Sequence, residues 1–572
     1  MFSLFDGAEV IKGVAVLWKV MLPGALFTLV FFLVLRLPGT ELWAKLRLAQ
    51  LRLMWRILCG IFVLLVVGCG LVAVVTERIR FFEEATVLST VAAFWHGQAL
   101  YPSTQAPVEY GLLYGPVTYF MYLPPMMGGA LRLWGYEAWA LGALGGTFLL
   151  LFLALRRKFG VSVALGSAAL LAANVARFTG NEWAIKADVW ILLFSALSFW
   201  ASSRLQSWTA ACVIAVAGAM LVDLKATLLL IALLPFVLLW QRERSARVPV
   251  VVFALLLPLL ALLPFSLPGV SLSNYVRLLL EYKSHATSAR VLAINTQMTL
   301  IIFLPTFTLL WAAMSVAPRT ACSWIRERSA YLVILIVACV VATVTGAKEG
   351  GGPWHCVVLV IPSLFVDAEL WRLAAPTELP SLFQNPRRFA PILGVSLALF
   401  VTGLKLLAGG VKERLYDQPG DTPVSMRDVE NDLLAISQRY PGETIQMGYS
   451  DRAHFNLTNV RPILYVRGNP LFVDPQARNE ADVIGKPISP EVLNALARCK
   501  IQLWVIPKGA EPFSMESMYW LDPTVDRKGM EAALYPANFR QTFFEHYREI
   551  QQTSRYFNVW ACQNTDASAA HG

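Results

Sequence analysis

The chain alternates between long apolar runs and short polar breaks. Apolar runs occur at 11–37, 54–75, 138–155, 161–178, 188–203, 208–222, 227–240, 247–267, 297–316, 331–346, 354–370 and 389–409. A helix crossing a bilayer needs about 20 such residues. The pattern therefore predicts a polytopic α-helical membrane protein with 12 spans. Residues 116–134 are a further candidate. Pro124-Pro125 and Gly128-Gly129 interrupt them, so they read as interfacial or re-entrant, and a full crossing there would make 13 spans.

The polar breaks are of two kinds. One kind is basic: Arg36, Lys45, Arg47, Arg52 and Arg56; Arg156, Arg157 and Lys158; Arg204; Arg242, Arg244 and Arg247; Arg319, Arg326 and Arg328; Arg372, Arg387 and Arg388. With 12 spans these clusters share one side, which the positive-inside rule makes the cytoplasm. The N-terminus then lies outside, and the first apolar run lacks the small-residue cleavage site of a signal peptide.

The opposite side receives the 76–137 loop, the turns Asn181–Asp188 and Asp223–Lys225, the 268–296 loop, the turn Lys348–His355, and everything after about 410. In the 268–296 loop Tyr275, Leu278, Leu279 and Tyr282 follow helical spacing, which predicts either an amphipathic helix on the membrane or an ordinary packed loop helix. Residues 411–572 change character. A helix after Ser425 and the pattern SPEVLNALARC alternate with the short apolar runs TIQMGY, PILYV, IQLWVIP and YFNVWAC. That alternation predicts an extracytoplasmic α/β domain over 411–572, beyond a transmembrane domain over 1–410.

Composition agrees. Hydrophobic residues make up 56% of the 572, and mean hydropathy is +0.55. The net charge of +10 does not point to nucleic acid, because the basic residues sit in short loops between apolar runs. Cys59, Cys69, Cys212, Cys339 and Cys356 read as small hydrophobes in or beside apolar segments. Cys499 and Cys562 could pair if the C-terminal part is extracytoplasmic. No CxxC or His-rich spacing suggests zinc.

Ionisable residues concentrate on the outer side. Glu83 and Glu84 open the first loop, which also carries Tyr101, Tyr110 and Tyr114. Lys186 and Asp188 end one turn, Asp223 and Lys225 occupy another, and Lys348, Glu349 and His355 a third. A carboxylate facing several lysines suits sugar transfer from a lipid phosphate. That reaction needs a base for the acceptor hydroxyl and cations for the departing phosphate. The tyrosines could stack on sugar faces or bond their hydroxyls. Each residue also has a plainer reading: the glutamates as first-turn partners of a helix dipole, the lysines as helix ends, the tyrosines as interfacial anchors. His454 and His546 read as single surface or packing histidines.

In order and side, these motifs resemble the GT-C superfamily of polytopic glycosyltransferases. That superfamily includes protein O-mannosyltransferases and the transferases that put aminoarabinose on lipid A. The matching stretches are Glu83-Glu84-Ala85, Gly97 to Pro102, Tyr110-Gly111, Tyr114-Gly115-Pro116, Lys186-Ala187-Asp188, Lys225-Ala226-Thr227 and Lys348 to Gly352 with His355 following. The resemblance spans about residues 54–370. It implies a polyprenyl-phosphate-sugar donor, an extracytoplasmic site in a bacterial inner membrane, and inversion at the anomeric carbon. By position, Glu83 matches the family's catalytic acid residue, usually Asp, and Glu84 its acidic neighbour.

Departures are specific. The Arg that follows the acidic pair in the lipid A branch is absent, and Gly115 stands where that branch has Lys. Phosphate binding would then fall to Lys186, Lys225 or Lys348, which argues against that branch in particular. The Glu83-to-Gly97 spacing looks one residue short of some relatives, which leaves Glu84 as an alternative base. The resemblance leaves a divalent metal open, since the family has members with and without one. The acceptor could be a glycan, a lipid or a protein. Two other classes fit parts of the pattern: a transporter or flippase of lipid-linked glycan, and a non-catalytic partner in glycan assembly. A flippase predicts paired repeats and charges at helix centres, whereas these charges sit at helix ends.

Overall fold

The computed structural model describes residues 41–76, 82–127, 133–177, 185–281, 285, 287–348, 351–374, 426–451, 453–509, 511–516, 533–550 and 554–563. The expected spans at 11–37 and 389–409, the Ser425 cap and the domain boundary at 410/411 lie outside these residues. The other ten apolar runs fall on helices, including Glu41–Thr76, Leu133–Phe159, Asp188–Arg204, Ser207–Leu224, Arg247–Leu262 and Ala289–Val316. Among the described residues, five helices are each long and apolar enough to cross a membrane. Large apolar side chains stay exposed along them, Leu64 at 70% and Leu255 at 72% among them. Water does not tolerate such a surface but lipid does. The protein is a multi-pass helical membrane protein.

Residues 116–127 form two short helices, Pro116–Phe120 and Leu123–Met127, rather than the start of one span. The basic ends of the spans meet at one face. Lys158 and Arg328 both pair with Glu369, at 2.9 and 2.7 Å. Arg328 also donates to Gln241 Oε1, and Arg242 to the carbonyls of Ser202 and Leu205. Basic clusters far apart in sequence thus gather at one face through shared partners.

The opposite face carries the first-loop helix Phe82–Trp95, the helix Leu272–Glu281 and the C-terminal domain. The domain is built on a four-stranded mixed sheet in the order β1-β2-β4-β3. Its strands are β1 Ile445–Met447, β2 Leu503–Pro507, β3 Tyr547–Ile550 and β4 Phe557–Cys562. β1 runs parallel to β2, with Ile445 opposite Leu503, while β4 is antiparallel to both β2 and β3. Trp504 on β2 anchors an aromatic core, with Phe513 at 5.3 Å and Phe543 at 6.1 Å between ring centroids.

Three of the four apolar runs of this region form strands, but PILYV does not: Pro462–Val466 is a helix. Pro462 occupies its first turn, where a missing N–H costs nothing. The run packs against the first-loop helix instead of entering the sheet. β3 carries exposed Arg548 and Glu549, and so lacked an apolar signature.

Cys499 and Cys562 form a disulfide across a sequence separation of 63. Closing a loop of that length stabilises a fold by about 4 kcal/mol through the entropy of the unfolded chain. The Cys499→Ser/Cys562→Ser variant should therefore melt several degrees below the parent when followed by near-ultraviolet circular dichroism. Equal melting would show that the bond carries little stability.

Candidate functional site

The first-loop helix puts Glu83 and Glu84 in its first turn, and their side chains diverge. Glu83 is half-buried and forms an ion pair with Lys186. Glu84 is 1% exposed, and its Oε1 accepts the Ile185 N–H at 3.0 Å. One carboxylate therefore faces a cation at the edge of the site, while the other fixes the segment that delivers that cation.

Asp188 opens the helix Asp188–Arg204, two residues beyond Lys186. Its carboxylate, buried in the helix's first turn, accepts from Lys225 Nζ at 2.8 Å. The helix N-terminus favours negative charge there. Lys225 sits in an extended break (φ −150°, ψ 119°) between the helix Ser207–Leu224 and the turn Ala226–Leu228. That break aims its side chain across the top of the bundle, with Nζ 5.7 Å from the centre of the Tyr114 ring. Four charges from three chain segments are thus paired in a row. Lys225 also lines a small cavity with Thr227 and His355. Lys348 is held in an antiparallel bridge with Thr287 of the 268–296 loop.

The tyrosines mostly build the loop. Tyr101 donates to the Tyr114 carbonyl at 2.8 Å and Tyr110 to the Ala99 carbonyl at 2.7 Å. Tyr122 donates to the Lys186 carbonyl at 2.8 Å, so it supports the lysine from behind. Burial pushes the phenols of Tyr101 and Tyr110 up, so both stay protonated donors. Burial also raises the Tyr114 phenol, and the Glu83 and Asp188 carboxylates push it further. Tyr114 thus shares the field of the charged row.

Gly115 packs directly against the 223–225 break. Its N–H donates to the Leu224 carbonyl at 3.3 Å, and a Cβ placed on it would come within 1.5 Å of the Asp223 carbonyl oxygen. No side chain fits there unless the loop and the 223–225 break move apart. A lysine at this position is excluded sterically, and Lys225 occupies the neighbouring space.

Sequence reading found no chemistry in the C-terminal domain, yet that domain supplies the partners of the first-loop helix. Asp474 and Arg461 form an ion pair with both side chains fully buried. Thr86 Oγ1 donates to Asp474 Oδ1 at 2.8 Å and accepts from Arg461 Nη2 at 2.7 Å. Asp474 also caps the helix Pro475–Val483 through the Gln476 N–H. This helix is polar but buried from Pro475 to Ala481. Polar groups survive burial only when partnered. Arg478 pairs with Glu109 at 3.0 Å, Gln476 bonds Glu480, and His285 stands 3.8 Å from Glu480. Glu109 and Val473 also form a parallel backbone bridge, and Gln98 bonds both backbone groups of Leu471. The one local cue was Asp474-Pro475, a helix start, and nothing in it announces a partner on the first loop.

Among the described residues, no group of three or more His, Cys, Asp or Glu side chains could hold a metal ion.

No family model and no curated protein match this chain. Two crystal structures of ArnT from Cupriavidus metallidurans are similar to it. The one bound to undecaprenyl phosphate gives 14% identity and a TM-score of 0.49, over 88% of this chain and 98% of that one. The apo structure gives 14% identity and a TM-score of 0.48, over 87% and 97%. At this identity the likeness concerns the course of the chain, not the roles of residues.

Removing one partner from the Arg461–Asp474 pair leaves a buried charge without compensation. Arg461→Met alone should lower stability by about 3–5 kcal/mol, whereas Arg461→Met with Asp474→Leu should recover most of that loss. Chemical denaturation of the detergent-solubilised protein checks both. If the single variant matches the parent, the pair does not hold the domain on the loop.

Proposed function

We propose that the protein is an inverting membrane glycosyltransferase. It moves a sugar from a polyprenyl-phosphate donor to a hydroxyl of an extracytoplasmic acceptor. The observation that carries this reading is the row of paired charges, Glu83–Lys186 and Asp188–Lys225, at the outer ends of membrane helices. Ionisable groups gathered in a membrane protein are held by pairing with one another and mark candidate functional sites. The disulfide in the domain above them supports an oxidising, extracytoplasmic setting. The order of the motifs along the chain resembles GT-C enzymes, as described above.

The roles follow from accessibility. Glu83 is the carboxylate with an exposed edge, so it serves as base, and buried Glu84 serves to position the Lys186 segment. The acceptor O–H gives its proton to the Glu83 carboxylate. Its oxygen attacks the anomeric carbon as the bond from that carbon to the phosphate oxygen breaks. The electron pair leaves on the phosphate, which Lys225 and Lys186 receive. Phosphate is a weak base, so it departs without a general acid. Tyr114 and His355 border Lys225 and shape the space beside it. No step needs a metal.

Glu83→Gln should lose at least about a hundredfold in transfer from a polyprenyl-phosphate sugar, while carrier binding persists. Full transfer by Glu83→Gln would remove the base assignment. Loss of transfer in Glu84→Gln together with a loosened fold is the pattern expected of a positioning residue.

A further inference from the structure

A second polar cleft lies beside the charged row, and no step above uses it. Three elements form its walls: the first outer loop, the helix Leu272–Glu281 and the C-terminal domain around Lys486. They are tied to one another across it. Asn274 donates to the Tyr101 carbonyl at 3.0 Å and Arg277 to the Pro102 carbonyl at 3.2 Å. Lys486 reaches over to Glu281 at 2.7 Å. The far side of the same helix carries Leu272, Val276 and Leu280, spaced four apart and exposed by 39, 43 and 62%. This apolar stripe continues the exposed end of the preceding span at Leu263 and Leu267. The helix therefore rests on the bilayer surface and turns its polar face to the cleft.

The lining selects a class of ligand. Glu109 and Glu281 are matched by Arg277 and Lys486, so the formal charges of the lining cancel. A phosphate or carboxylate ligand calls for surplus cations, and an acyl chain calls for an unbroken apolar wall. The exposed Ser103 and Thr104 hydroxyls, with the polar side chains of Asn274, Arg277, Glu281 and Lys486 around them, suit a neutral polyhydroxylated ring. The cleft also adjoins the reaction centre. Tyr101 lines it and donates to the Tyr114 carbonyl, and Lys225 stands over the Tyr114 ring.

We infer that this cleft binds the neutral saccharide portion of the acceptor and holds it at the membrane surface beside Glu83. This rests on the glycosyltransferase reading, and the test separates the two. The whole protein in lipid nanodiscs is offered neutral methyl glycosides and trisaccharides of the gluco, galacto and manno series, as free sugars and on an alkyl chain. Binding is read by saturation-transfer NMR. Undecaprenyl phosphate binding is measured on the same samples.

Thr104 is exposed and lines the cleft, so Thr104→Trp fills it without touching a buried contact. Saccharide binding should fall at least about tenfold in Thr104→Trp, with undecaprenyl phosphate binding within about twofold of the parent. Ser103→Trp, at the neighbouring exposed position, should do the same and covers the case of a misfolded first variant. Preference for the alkyl glycosides would mark a lipid headgroup as the source, and equal binding a free glycan. Either supports the cleft if the tryptophan variants abolish it. Equal saccharide binding in parent and both variants, or none in the parent, overturns the inference. Absence of undecaprenyl phosphate binding in the parent overturns the glycosyltransferase reading, and the saccharide data alone then decide the cleft.

Discussion

A fully buried contact between Thr86, Arg461 and Asp474 holds this architecture together. Thr86 lies on the helix Phe82–Trp95, one turn beyond Glu83, and its two partners belong to a domain more than 370 residues away in sequence. Desolvating an arginine and an aspartate is expensive, so the contact exists only when geometry is complete. The first loop and the C-terminal domain therefore form one body, with the Glu109–Arg478 pair and the Glu109–Val473 bridge extending the seam. This gives the C-terminal domain a mechanical purpose. It fixes the pitch of the first-loop helix, and hence the place where Glu83 meets Lys186.

The membrane helices make the complementary contribution. They present Lys186, Asp188 and Lys225 at their outer ends, where an extended break and a helix start aim the side chains. Neither half holds the row of charges alone. Gly115 shows how close the two halves come, since even a methyl group there would strike the Asp223 carbonyl. A lysine at that loop position cannot be accommodated here. Lys225 supplies one from the bundle instead.

Much of this was legible in the sequence, for identifiable reasons. Long apolar runs report helices because the bilayer fixes their length, and basic clusters far apart in sequence gather at one face of the bundle. The carboxylates and lysines stood out because ionisable residues are sparse in such a chain. What stayed hidden depends on long-range contact. PILYV reads equally as strand or helix, and only packing against the first-loop helix decides it. The helix Pro475–Val483 looks like a surface helix by composition and is buried with its Arg478 paired to Glu109 of the first loop. The divergence of Glu83 from Glu84 is also invisible in sequence, since it is set by the Ile185 N–H about a hundred residues downstream.

The stereochemistry of transfer tests the central claim most directly. A base-assisted single displacement, with the acceptor hydroxyl attacking opposite the phosphate, must invert the anomeric carbon. The measurement is the anomeric configuration of freshly formed product, by NMR, from a polyprenyl-phosphate sugar of known configuration. The account predicts inversion. Retention would require a covalent or same-face mechanism and would contradict it.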